Sequence, residues 1–193
     1  ATLYLYSKDT FLSLLCRDKM IKLEAIRKLE ALSRQGRTVF LLRELQKIFP
    51  EDSPHALKAG LMRLVDEEIL CRPIKGVYVN IFSPKDSYLL EHVVKALRRG
   101  EYNYVSFESA LSAYGIISQV PVDRLTVMTT GRSGEYKTPW GTIELTHTRR
   151  SIPEILDATV ETQSPLKQAT PATAIRDLRR AGRNTHLLDL REE

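Results

Sequence analysis

The stretch SPHALKAGLMRLVDEEILCRPIKGVYV, residues 53–79, gathers side chains suited to one kind of chemistry, hydrogen bonding and charge pairing with a nucleic-acid duplex. Lys58 and Arg63 could meet a phosphate or a guanine edge, and Ala59 and Met62 are small or flexible enough to meet a thymine methyl. Arg72 and Lys75 would reach the flanking backbone or the minor groove. His55 shares the same arc, and Ser53, with a helix N-terminus behind it, could donate to a phosphate. The competing reading is a surface helix with charges outside and leucines inside.

A second set is weaker. Asp123 followed by Glu135 and Lys137 resembles the Asp…Glu-x-Lys arrangement of metal-dependent nucleases, in which two carboxylates hold a divalent cation beside a lysine. That chemistry needs the three groups to converge from adjacent strands. Glu135 follows Gly131-Arg132-Ser133-Gly134 and Lys137 precedes Thr138-Pro139, so both read as turn residues. No serine sits in a nucleophile-elbow context, and no H-E-x-x-H, C-x-x-C or Gly-rich phosphate loop occurs. Neither a catalytic site, a metal site nor a cofactor is expected.

The elements that must hold the first set follow from periodicity. Residues 10–35 repeat helically, with Ile21, Ala25, Leu29 and Leu32 on one stripe and Gly36 as the stop. Thr38-Val39-Phe40 is a short β-prone run, and LLRELQKIF at 41–49 is helical up to Pro50. Ser53 is a good N-cap and Pro54 a good first helical residue. On the wheel from Ser53 to Glu68, Leu57, Leu61, Leu64 and Val65 form one apolar sector, and the candidate contacts occupy the remaining arc. Asp66, Glu67 and Glu68 fall at the far end. CRPIKGVYVN then reads as two strands around a Pro73-Ile74-Lys75-Gly76 turn. Helix, short strand, helix, turn, helix and hairpin is the order of a winged helix-turn-helix.

Ser83-Pro84 marks a boundary, giving residues 1–82 and 83–193 as two domains. Beyond it a helix with Leu89, Val93, Val94 and Leu97 inward precedes a short helix over 106–114, for which Ser106 is a candidate cap and Glu108 and Ser109 suit the positive end. RLTVMTT is a strand, and GRSGEYKTPWGTIELTH is a turn and hairpin with Trp140 expected in the core. SIPEIL and ATPATAIRDLRRAG are further helices. The expectation is α+β: a winged helix-turn-helix domain followed by a mixed α+β domain with antiparallel strands.

Composition narrows the classes. Net charge is +5 with a pI near 9.2, compatible with nucleic acid without demanding it. No apolar run approaches the roughly 18 residues that span a bilayer, and Lys8 and Asp9 interrupt what would be the apolar part of a signal peptide. Cys16 and Cys71 fit no metal or redox spacing and are expected as reduced, partly buried thiols in a cytoplasmic protein. The four histidines are scattered.

Three segments carry a resemblance: YVSFESALSAYGI at 104–116, VMTTGRSGEYKTPWGTIELTH at 127–147, and LMRLVDEEILCRPIKGVYV before them. Over residues 20 to 157 the sequence resembles the AbiEi family of antitoxins and transcriptional regulators from abortive-infection toxin–antitoxin systems. The resemblance implies a repressor that binds inverted repeats in its own promoter, and a C-terminal domain that counters a co-encoded nucleotidyltransferase-like toxin without a stable complex. It places the DNA-binding role on Lys58, Arg63, Arg72 and Lys75, with His55 and Met62 beside them. Arg132, Arg149 and Arg150 are the basic candidates for an antitoxic surface, against a reading as solvated hairpin residues. A third reading is a protein-interaction adaptor that uses the winged helix for docking.

Overall fold

The computed structural model describes residues 22–83, 86–117, 123–182 and 184–188. The expected helical stretch before Lys22, together with Cys16, lies outside them. They divide into two compact units, 22–83 and 86–188.

In the first unit α1 (Lys22–Arg34) buries Ala25, Leu29 and Ser33, and Gly36 ends it at φ 79°, a left-handed conformation that glycine adopts without a Cβ penalty. Next come β1 (Val39–Leu41) and α2 (Leu42–Ile48), whose Glu44 carboxylate accepts the Leu41 N–H at 2.9 Å. After the turn at Pro50, α3 spans Pro54–Asp66. The Ser53 hydroxyl accepts the Ala56 N–H at 3.2 Å, satisfying one of the orphan donors of the first turn. The helix buries Ala56, Leu57, Gly60, Leu61 and Leu64, while Val65 is half-buried.

A tight Lys75-Gly76 turn joins β2 (Leu70–Ile74) to β3 (Val77–Asn80). The sheet order is β1-β3-β2, antiparallel throughout, with Phe40 opposite Tyr78. Central β3 is buried at all four positions. Pro73 falls on an outer strand where the pairing shifts between Cys71 and Ile74, a place that tolerates a missing N–H. Ala25, Leu29, Phe40, Leu45, Phe49, Leu57, Leu61, Leu64, Leu70 and Tyr78 form one core.

The second unit has α4 (Leu89–Leu97), β4 (Asn103–Val105), α5 (Phe107–Ala113), β5 (Arg124–Thr129), β6 (Gly134–Thr138), β7 (Gly141–His147), α6 (Ile152–Asp157), β8 (Thr159–Val160), β9 (Lys167–Ala169) and α7 (Pro171–Ala181). A single-turn 3-10 helix, Thr185–Leu187, follows. One six-stranded sheet runs β6-β7-β5-β4-β9-β8. The chain is α+β with antiparallel strands, as expected, in the pairs β4–β5, β6–β7 and β8–β9. The sheet is mixed because β5 pairs with β7, and β4 with β9, in parallel. The reason lies in side-chain character. GTIELTH buries Ile143 and Leu145 and suits the interior, whereas GEYKT exposes Glu135 and Lys137 and suits the outer position. So β7 returns between β5 and β6.

Trp140 corrects another expectation. It is half-buried at the β6–β7 turn, not in the core. The turn is closed by the Thr138 hydroxyl, which donates to the Gly141 carbonyl at 2.7 Å. Gly141 has φ 135°, and a Cβ there would lie 2.8 Å from the Asp123 carbonyl oxygen. Gly141→Ala is therefore expected to destabilise the second unit by about 1–3 kcal/mol, read as a lowered midpoint of urea unfolding.

Candidate nucleic-acid interface

His55, Lys58, Ala59, Met62 and Arg63 recur at helical spacing on α3, so burying the leucine face turns all five outward. All five are exposed, as are Ser53, Arg72 and Lys75. Lys58, Arg63, Arg72 and Lys75 pair with no described carboxylate. Glu67 lies just beyond the C-terminal end of α3 and is occupied by Lys22 at 2.5 Å. The face thus presents unneutralised cations around an apolar strip, Ala59 and Met62.

Hairpin and helix meet at Arg72. Its guanidinium carbon lies 5.8 Å from the centroid of the Tyr78 ring, and Nη1 lies 4.0 Å from the Met62 Sδ. Lys75 stands at the hairpin tip, and the Leu42 N–H donates to the Gly76 carbonyl at 2.9 Å, tying the tip to the start of α2. Periodicity supplied α3 and the hairpin, but it gave no sign of the Arg72–Tyr78 contact, which depends on the local register of β2 and β3. Half-buried Cys71 is a free thiol, its pKa pushed up by burial.

The basic residues of the second unit separate. Arg132 and Arg149 are exposed. Arg150 contradicts its assignment to a surface: its side chain is only 9% exposed. It donates to both Asp177 carboxylate oxygens, at 2.5 and 3.1 Å, and to the Tyr104 hydroxyl at 2.6 Å. These bonds, that to Asp177 first, raise the guanidinium pKa further and keep it charged. Burial pushes the Tyr104 phenol up, with Asp177 adding to it.

Ser106 belongs to the same network. It occupies the cap position of α5, yet its hydroxyl donates to Asp177 at 2.8 Å and caps nothing. Glu108 falls in the first turn of α5, as expected, and is buried, accepting from Asn184 at 2.7 Å. Ser109 accepts the Thr126 N–H at 2.9 Å. Buried Glu91 on α4 accepts the Leu166 N–H at 3.1 Å, and desolvation raises its pKa. A separation of 27 positions between Arg150 and Asp177 hides this pair from any local pattern.

Glu135 and Lys137 lie on strand β6, not in a turn, yet they do not complete a nuclease constellation. Strand β7 separates β6 from β5, and Arg124 lies 3.6 Å from Glu135 and 2.8 Å from Glu144. Among the described residues no cluster of three or more His, Cys, Asp or Glu side chains could hold a metal ion. His92 pairs with Asp86 at 2.9 Å, and the His147 Nδ1 lies 2.8 Å from the Gly131 carbonyl, so these rings serve separate places. A cleft of about 640 Å³ between α6 and α7 brings Arg176 and Arg180 alongside Glu154 and Asp157, an arrangement that sequence reading missed.

Together these features define an α+β protein of two compact units, one carrying an exposed cationic helix face. Among solved structures it is similar to the crystal structure of the RV2827C protein from Mycobacterium tuberculosis, with a TM-score of 0.59 and 14% identity. The match covers 84% of this chain and 62% of that one, so this chain spans under two thirds of the neighbour's length. At that identity the likeness is one of fold alone. No protein-family model matches the chain, and no curated protein does. Among the described residues no helix is long and apolar enough to cross a membrane.

Truncating either partner of the Arg150–Asp177 pair strands a buried charge, so Arg150→Met or Asp177→Ala is expected to destabilise the second unit by about 3–5 kcal/mol. Arg132→Ala and Arg149→Ala are expected to stay within about 0.5 kcal/mol of the unaltered protein. Chemical denaturation of the four variants separates the two classes.

Proposed function

We propose that the protein is a non-enzymatic regulator whose first unit is a winged helix-turn-helix that binds double-stranded DNA, and that it acts as an antitoxin and as repressor of its own operon. What supports the DNA reading most is the exposed, unneutralised face of α3, flanked by a hairpin carrying Arg72 and Lys75. An α-helix fits the major groove, and the side chains reaching base edges lie chiefly toward its N-terminal half. His55, Lys58 and Ala59 sit there. Met62 and Arg63 follow one turn on, and Lys75 is placed for backbone. The Ser53 oxygen already accepts a helix N–H, which leaves its hydroxyl proton for a phosphate.

The antitoxin role rests on the resemblance to the AbiEi family. On that reading the second unit opposes a nucleotidyltransferase-like toxin, with Arg132 and Arg149 as surface candidates; Arg150 is withdrawn because it is buried. The proposed location is the cytoplasm. Docking of a protein by the same face is the competing function, and salt separates the two. A DNA binder that neutralises several phosphates loses affinity with a log–log slope of about −0.9 per contact.

Lys58→Ala and Arg63→Ala are expected to weaken binding to the inverted repeats by about 1–3 kcal/mol where the side chain reads a base. Lys75→Ala is expected to weaken binding to every duplex and to flatten the salt slope by about one. Gel shifts over a salt series read both, and unchanged affinity in all three variants would remove the groove assignment. Residues 83–193 are expected to be required for protection when co-expressed with the toxin. Full protection by residues 1–82 alone would refute that.

A further inference from the structure

We infer that Tyr78 is a positioning residue: it holds the Arg72 guanidinium ready for a DNA phosphate at the seam between α3 and the hairpin. The inference rests on the DNA-binding reading proposed above. Tyr78 is 3% exposed and unavailable to a duplex, whereas Arg72 is exposed. The guanidinium is nevertheless held on two sides. Its carbon stands 5.8 Å from the Tyr78 ring centroid, within the range of a cation–π contact, and Nη1 lies 4.0 Å from the Met62 Sδ. The ring is fixed in turn, because Tyr78 pairs directly across from buried Phe40 on central strand β3.

Arg72 sits in β2 where the pairing shifts between Cys71 and Ile74. A long cationic side chain on a surface strand ordinarily loses rotamer freedom when it binds, which costs roughly 0.5–1.5 kcal/mol, or about two- to tenfold in affinity. The Tyr78 ring removes part of that loss in advance. It also fixes Arg72 beside Met62, so one phosphate contact sets the depth and register of the exposed α3 face. Among the described residues no aromatic ring braces Lys75 at the hairpin tip.

The test uses the full chain and a mixed-sequence duplex of about thirty base pairs, long enough for one bound protein with flanking contacts. Affinity is measured over a salt series, with thermal unfolding as a check on folding. Tyr78→Leu is expected to weaken binding about two- to tenfold while leaving the salt slope unchanged, since the Arg72 charge still reaches its phosphate. Tyr78→Phe keeps the ring and is expected to bind like the unaltered protein. Arg72→Ala is expected to reduce the slope by about one, and adding Tyr78→Leu to it should cost nothing more.

A further loss in that double variant, or an equal loss in Tyr78→Phe, would overturn the inference. Should Tyr78→Leu fail to fold, Arg72→Lys serves instead: it retains the charge without the planar stack, and binding as tight as the unaltered protein's would equally overturn the assignment. If the unaltered protein shows no salt-dependent duplex binding, the DNA-binding reading itself fails. If it binds and only the Tyr78 arms disagree, the positioning role alone is lost.

Discussion

Burial of the leucine face of α3 is the constraint on which the first unit depends. Leu57, Leu61 and Leu64 are each at most 1% exposed, and removing a side chain of that size from water is worth roughly 1.5–3 kcal/mol. The same core takes leucines from α1 and α2 and the aromatic pair Phe40 and Tyr78 from the sheet. A helix anchored this way cannot rotate about its axis without exposing those leucines. The direction of the opposite arc is therefore fixed by packing, and among the described residues no carboxylate pairs with its cations. Ser53 and Pro54 set the first turn, so the start of that arc is fixed as well.

In the second unit the organising contact is ionic. Arg150 and Asp177 are both removed from solvent, and each is satisfied by more than the other: Tyr104 serves the guanidinium and Ser106 the carboxylate. The four residues come from β4, the start of α5, the segment after β7, and α7. A cluster drawn from such separate places specifies one arrangement of those elements, because any other would leave a buried charge without its hydrogen bonds. The Tyr104-Val105-Ser106 segment contributes two of the four residues, Tyr104 and Ser106, to this cluster.

What the sequence made legible was local. The Ser-Pro start of α3 and its leucine spacing are each decided within about a dozen residues and appear where periodicity put them. The expected Pro73-Ile74-Lys75-Gly76 turn instead tightens to Lys75-Gly76, with Pro73 and Ile74 in β2. Strands β8 and β9, of two and three residues, are too short to show alternation. The parallel pairing of β5 with β7 depends on which of two neighbouring strands tolerates the outer position, a comparison no single window makes. Arg150 was misjudged, and the burial of Glu91 and Glu108 went unread, because charged residues are ordinarily solvated. Their burial depends on partners 27, 75 and 76 residues away. On the proposed interface, the exposed members of the α3 arc were readable, whereas the ring beneath Arg72 was not.

The mixed sheet and the three-stranded sheet share a trait with a consequence for self-association. A bare strand offers a ladder of backbone donors and acceptors that another chain can extend. Strand β2 breaks its ladder at Pro73, which has no N–H, and at the slip in pairing beside it. Strand β6 instead turns the side chains of Glu135 and Lys137 to the solvent, so an approaching strand would have to desolvate both charges. At these two margins the molecule resists templated growth into fibrils, by covalent structure at one and by hydration at the other.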